Sequence, residues 1–121
     1  MNMPKDPPNI LLIVTDQQQA VGMSCAGNPD VNTPVLDNLA EQGVRFSNAY
    51  CTNPLCTPSR ASMFTGRMPH EIEAMGNGRK INPKFRSLEL GNLFKKAGYD
   101  CAYGGKWHVP ELSITEEHGF E

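Results

Sequence analysis

The first hydrophobic feature along the chain is the run Asn9-Ile10-Leu11-Leu12-Ile13-Val14, preceded by Pro8. It is apolar without alternation and rich in β-branched residues, the pattern of a strand buried on both faces of a parallel sheet. It breaks into the polar stretch Thr15-Asp16-Gln17-Gln18-Gln19, and open α/β sheets place their sites at such carboxyl ends of strands. Thr33-Pro34 opens a helix: Thr33 can cap, Pro34 suits the first turn, and Gly43 follows the last. Val35, Leu36, Leu39 and Ala40 give that helix an apolar face.

Val44 to Tyr50 alternates and predicts a second strand. A loop with Pro54 and Pro58 comes next, then a helix from Ser59 to about Phe64 that closes at Gly66. Met68 to Pro83 is rich in Gly, Asn and Pro and predicts a long loop. Ser87 caps a third helix carrying Leu88, Leu90, Leu93 and Phe94, which stops at Gly98. Tyr99 to Tyr103 predicts a third strand, running into Gly104-Gly105-Lys106-Trp107-His108. The tail from Val109 to Glu121 has no clear period. Strands alternating with helices indicate an α/β class with a largely parallel sheet flanked by helices. Three strands and three helices would leave sheet edges and one face poorly covered. Residues 1–121 are therefore expected to form one portion of a larger domain.

Composition narrows the partners. The 121 residues fit one small domain, and 39% hydrophobic with 20% charged residues is ordinary for a globular protein. The net charge is -2, and Arg79-Lys80 and Lys95-Lys96 are the only adjacent cations, so the basic stripe of a nucleic-acid-binding protein is missing. Ile10 to Val14 is too short for a signal-peptide core or a membrane span, which makes a cytoplasmic location the default and a membrane partner unexpected. The four cysteines, Cys25, Cys51, Cys56 and Cys101, are too sparse for a disulfide-built scaffold and lack zinc-site spacing. Cys25 and Cys101 are expected to be small buried residues.

Three polar clusters fall at the ends of elements. Asp16 is a hard oxygen ligand. Cys56 lies at the approach to a helix N-terminus, where backbone N–H groups and the helix dipole favour negative charge. Arg60 is about one turn further along and can reach back towards position 56. Lys106 and His108 are two apart; in an extended chain they share one face while Trp107 packs on the other. A metal ligand, a nucleophile and several cations suit an anionic tetrahedral ester. From spacing alone the reaction is phosphoryl or sulfuryl transfer.

The run from Pro54 to Gly66, Pro-Leu-Cys-Thr-Pro-Ser-Arg-Ala-Ser-Met-Phe-Thr-Gly, resembles the sulfatase signature along its whole length. Gly98-Tyr99 through Gly105-Lys106-Trp107-His108 is similar to the family's second signature. Pro8 to Asp16 resembles the family's opening, and Thr33-Pro34 to Gly43-Val44-Arg45-Phe46 its usual continuation. The likeness covers nearly the whole chain in family order.

That resemblance implies an alkaline-phosphatase-like fold and the hydrolysis of sulfate esters. It implies that Cys56, within Cys-x-Pro-x-Arg, is converted to formylglycine by a formylglycine-generating enzyme. The hydrated aldehyde is a geminal diol: one hydroxyl attacks sulfur and expels the alcohol, and loss of the second hydroxyl's proton then eliminates sulfate. A Ser in its place would stay sulfated. A divalent cation, usually Ca²⁺, orients nucleophile and sulfate, with Asp16, Gln17 and position 56 as ligands. Arg60 would hold the diol, Lys106 would contact sulfate and His108 would hydrogen-bond the formylglycine hydroxyl.

Two departures stand out. Many sulfatases have Asp-Asp where this chain has Asp16-Gln17, and Asp-Gln occurs in branches resembling choline sulfatase and phosphonate monoester hydrolase. Cys101 stands where Ser or Thr is commoner, and Gly104 replaces a slightly larger residue. His70 and His118 gain no role from the resemblance; His70 is expected at the surface. The family's further metal ligands, second Lys and His general acid have no counterparts here, so the isolated chain is expected to be inactive. The competing readings are a phosphonate or phosphate ester hydrolase of the same superfamily, and a truncated, non-catalytic module that binds an anion.

Overall fold

A computed structural model describes residues 7–109 and 118–121. The expected Met1 to Pro8 lead and the aperiodic tail thus lie largely outside the described residues. The chain divides into two compact units, Met1–Tyr50 and Cys51–Glu121.

The first unit is built around one helix, α1 (Pro34–Gln42), where Thr33-Pro34 and Gly43 predict it. Pro34 occupies the first turn, whose N–H groups have no helical partner, so its missing donor costs nothing. Thr33 does not cap with its side chain. It turns instead towards the short 3-10 turn Ser24–Ala26. The Ser24 and Thr33 hydroxyls lie 2.8 Å apart, and Ser24 Oγ donates to Asp37 Oδ2 at 2.7 Å. Cys25 N–H donates to Asp37 Oδ1 at 2.8 Å. These bonds hold the Asp37 carboxyl below its ordinary pKa of 3.8, the Ser24 hydroxyl being the largest cause. Cys25 itself is half-buried rather than buried.

The second unit carries the core. Ala61, Phe64, Ile72, Ala74, Ile81, Trp107 and Val109 are buried together, with Phe85, Leu90, Tyr103 and Phe120 packed against them. Helix α2 spans Cys56–Thr65 and ends at Gly66, whose φ of 64° favours glycine. It begins a turn earlier than Ser59, the expected start. Pro58 is its third residue, and a proline there meets an N–H position that the helix leaves unpaired. Helix α3 spans Leu90–Lys96, and the chain turns at Gly98 with φ 91°. Ser87 does not cap α3: it lies inside the 3-10 turn Pro83–Leu88, which Asn82 caps through its side chain to Lys84 N–H, and Glu89 takes the cap position of α3. The expected polar loop from Met68 to Pro83 supplies Ile72, Ala74 and Ile81 to the core. Backbone bonds fold it back on itself, Ala74 N–H to the Pro69 carbonyl and Asn82 N–H to the Ile72 carbonyl.

The expected parallel sheet is not formed among the described residues. The segments 9–14, 44–50 and 99–103 have no strand ladder. Leu11 is 84% and Ile13 73% exposed, the reverse of a strand buried on both faces. The physical reason is partnership. A central parallel strand needs a hydrogen-bonded neighbour on each side and helices over both faces. Here Val35 and Leu39 of α1 are exposed as well, so the apolar run and the helix face that would pair with such neighbours both lie open.

Candidate active site

The N-terminus of α2 places Cys56 as the helix's first residue, with Leu55 extended before it. Of the first-turn backbone donors, Pro58 has no N–H and two are already engaged. One of them has a side-chain partner: Thr57 N–H donates to Asn77 Oδ1 at 3.1 Å. Ser59 N–H closes the first helical bond, to the Leu55 carbonyl.

The segment Lys106 to His108 is tied to this helix end at two points. Arg60 Nη1 donates to the Lys106 carbonyl at 2.6 Å, and the Tyr103 hydroxyl donates to the same oxygen at 2.8 Å. Thr57 Oγ1 donates to the His108 carbonyl at 2.8 Å. Thr57 and Arg60 are buried, so these bonds are shielded from water. Between the two anchors Trp107 turns inward and is 7% exposed, while Lys106 and His108 face out. Lys106 and His108 are both exposed, but the extended chain on which their face-sharing depended is not formed at His108, whose φ is 50°. A non-glycine residue in that conformation carries local strain that the surrounding contacts must offset. Lys106 Nζ comes to 4.0 Å from Cys56 Sγ, the outer limit of an N–H···S contact.

Four of the predicted residues, Cys56, Arg60, Lys106 and His108, thus gather in the second unit. Asp16 and Gln17 lie in the first, at a bend after the apolar run, both exposed. Gln17 is left-handed with φ 56°, a second strained position at a predicted site residue. Among the described residues, no three His, Cys, Asp or Glu side chains converge on a point where a metal ion could sit. Asp16 and Gln17 offer hard oxygen donors, which suit Ca²⁺ or a similar cation. They supply only part of the about six to eight oxygens such an ion takes. Sequence reasoning missed Thr57 and Asn77. Thr57 stood inside the signature as an unassigned position, and nothing in the pattern marks Asn77.

A sequence-family model described as Sulfatase matches residues 8–121. The chain belongs to the sulfatase family. Membership places it with the alkaline-phosphatase-like fold. It is 42% identical over 105 residues to an ulvan-active sulfatase of Formosa agariphila, covering 84% of this chain and 20% of that protein. It is 38% identical to an N-acetylglucosamine-6-O-sulfatase of Bacteroides thetaiotaomicron, covering 94% of this chain and 19% of that protein. It is also 38% identical to the human N-acetylgalactosamine-6-sulfatase, covering 95% of this chain and 24% of that protein. This sulfatase chain spans about a fifth of the length of the curated relatives it matches.

Proposed function

We propose that this chain is the N-terminal part of a catalytic domain that hydrolyses sulfate esters, with position 56 as the nucleophile. The observation that carries the reading is the helix end at Cys56. Cys56 is half-buried at the head of α2, and Lys106 Nζ lies 4.0 Å from Sγ. In this reading Sγ stands in for a hydroxyl oxygen of hydrated formylglycine, which supplies a nucleophile that can release sulfate by elimination. Asp16 and Gln17 would contribute hard oxygens to a divalent cation, Ca²⁺ by family habit, which would supply Lewis-acid stabilisation of sulfate charge.

The chain's own residues do the positioning. The Lys106 ammonium attracts a sulfate oxygen towards position 56. Arg60 holds the Lys106 carbonyl with a charge-assisted bond, fixing that residue's backbone while adding positive potential beneath the helix end. His108 is held by its carbonyl, which leaves its imidazole to donate to a hydroxyl at position 56. The relatives named above suggest a sulfated sugar as substrate class. The partner required beforehand is a formylglycine-generating enzyme.

Two measurements on the full protein test this. Mass spectrometry of the peptide around Cys56, from a host with the converting enzyme, should show sulfur replaced by oxygen with two hydrogens lost, the composition of the aldehyde. Rates on an aryl sulfate should exceed those on an aryl phosphonate. Faster phosphonate cleavage would support the rival reading, a phosphonate or phosphate ester hydrolase of the same superfamily. An unmodified Cys56 with no turnover of either would support a non-catalytic anion-binding module.

A further inference from the structure

Glu89 and His118 form a buried pair, His118 Nδ1 against Glu89 Oε2, and each residue is only 1% exposed. None of the family signatures includes either. The pair joins the cap position of α3 to the quartet His118–Glu121. Around it the backbones touch: an added Cβ at Gly91 would collide with the His118 carbonyl oxygen and the Phe120 ring, and one at Gly119 would collide with Gly91 and Asn92. Glu121 N–H completes the dock on the Cys101 carbonyl at 3.0 Å.

This quartet is one wall of the cage that holds Trp107. The indole lies 5.0 Å from the His118 ring and 6.2 Å from Phe120, with Phe64 stacked at 4.6 Å and Tyr103 edge-on at 5.3 Å. Trp107 is the residue between Lys106 and His108, and its inward side chain is what turns those two outward. Burying an ionisable pair costs desolvation that an apolar pair would avoid, so its use here points to direction rather than stability. A hydrogen bond at Nδ1 fixes the plane of the His118 ring, which an aliphatic contact would leave free.

We propose that Glu89 and His118 are positioning residues for the site at position 56. Glu89 orients the His118 ring, the ring braces Trp107, and Trp107 sets Lys106 over Cys56. The inference rests on the sulfatase reading for its purpose, but its test needs neither formylglycine nor metal. With Cys56 kept as a thiol, its alkylation by anionic iodoacetate is compared with that by neutral iodoacetamide, by mass spectrometry of its own peptide. The Lys106 ammonium at 4.0 Å should raise the iodoacetate preference by roughly fivefold over the unfolded chain, and Lys106→Ala should abolish the rise. Glu89→Leu should fall to the Lys106→Ala level, whereas Glu89→Gln, which still accepts from Nδ1, should keep the wild-type preference. His118→Asn keeps a donor but loses the ring and should fall as well. Trp107, the chain's single tryptophan, should become more open to acrylamide quenching in the variants that fall. If Glu89→Leu lacks the native circular dichroism, Glu89→Gln and His118→Asn decide the matter.

A wild-type preference no higher than that of the unfolded chain would overturn the proposal. So would a folded His118→Asn or Glu89→Leu that keeps the preference, or a Glu89→Gln that loses it. The sulfatase reading fails separately, on absence of sulfate release by the full protein.

Discussion

The hydroxyl of Thr57 and the guanidinium of Arg60 act on two carbonyls of one short segment, those of His108 and Lys106 on either side of Trp107. Each bond is buried at the helix side, so removing a donor leaves an acceptor without its protein partner. Thr57→Val should therefore destabilise the second unit by about 1 kcal/mol, read from denaturation midpoints, and Thr57→Ser should restore it. The same substitution should lower kcat/KM of the full protein, because His108 loses the tether that holds it at φ 50°. Asp37 makes a prediction of its own. Its folded pKa lies below 3.8, so the native state binds this proton less readily than the unfolded chain. Its contribution to the first unit is complete above the ordinary carboxylate value and is lost as pH falls through the lowered one. The Cys25 amide, which donates to Asp37 Oδ1, should report this by NMR as a titration centred below 3.8; a midpoint above that value would contradict it.

At the level of elements, α3 offers a substitution whose sign is decided by packing. Gly91 sits in the helix, where Ala is ordinarily better by about 1 kcal/mol. Here a Cβ has no room against the His118 carbonyl and Phe120, and overpacking costs roughly 1–3 kcal/mol. Gly91→Ala should lower the melting temperature, while Gly76→Ala, with nothing within 4 Å of its Cβ, should not meet a clash. The helices were legible in the sequence because local signals mark them: Thr33-Pro34 and Gly43 for α1, Gly66 for α2, Gly98 for α3. The start of α2 was not, since Pro58 reads as a loop residue unless it is placed in the first turn. The strands at 9–14, 44–50 and 99–103 were legible as apolar patterns, but a strand becomes a sheet only through neighbours that a local pattern does not contain. The site followed the same rule. Cys56, Arg60, Lys106 and His108 are proposed from signatures, whereas Glu89 and His118, 29 positions apart, meet in a contact that no local spacing announces.

At the scale of the whole molecule, the apolar run from Ile10 to Val14 is exposed. A short β-branched segment without charge or cover is a template for pairing with another copy. The 121-residue chain should scatter light increasingly with concentration, and Ile13→Lys should suppress this; equal scattering by both would count against the open run as the cause. The same incompleteness bears on activity. In the proposed reading Asp16 and Gln17 would give a cation only part of its ligands, and the chain spans about a fifth of its relatives' length. The isolated chain should show little or no sulfatase turnover, and robust turnover by it would contradict that expectation.

The central claim is that position 56 is the nucleophile of a sulfatase and that its second hydroxyl releases sulfate. Release of alcohol from an aryl sulfate by the full protein, followed to many equivalents, tests it most directly when wild type is set beside Cys56→Ser. The account predicts continuous turnover by wild type, and for Cys56→Ser at most a single equivalent, with sulfate left on Ser at position 56. Sustained turnover by Cys56→Ser at the wild-type rate would contradict it.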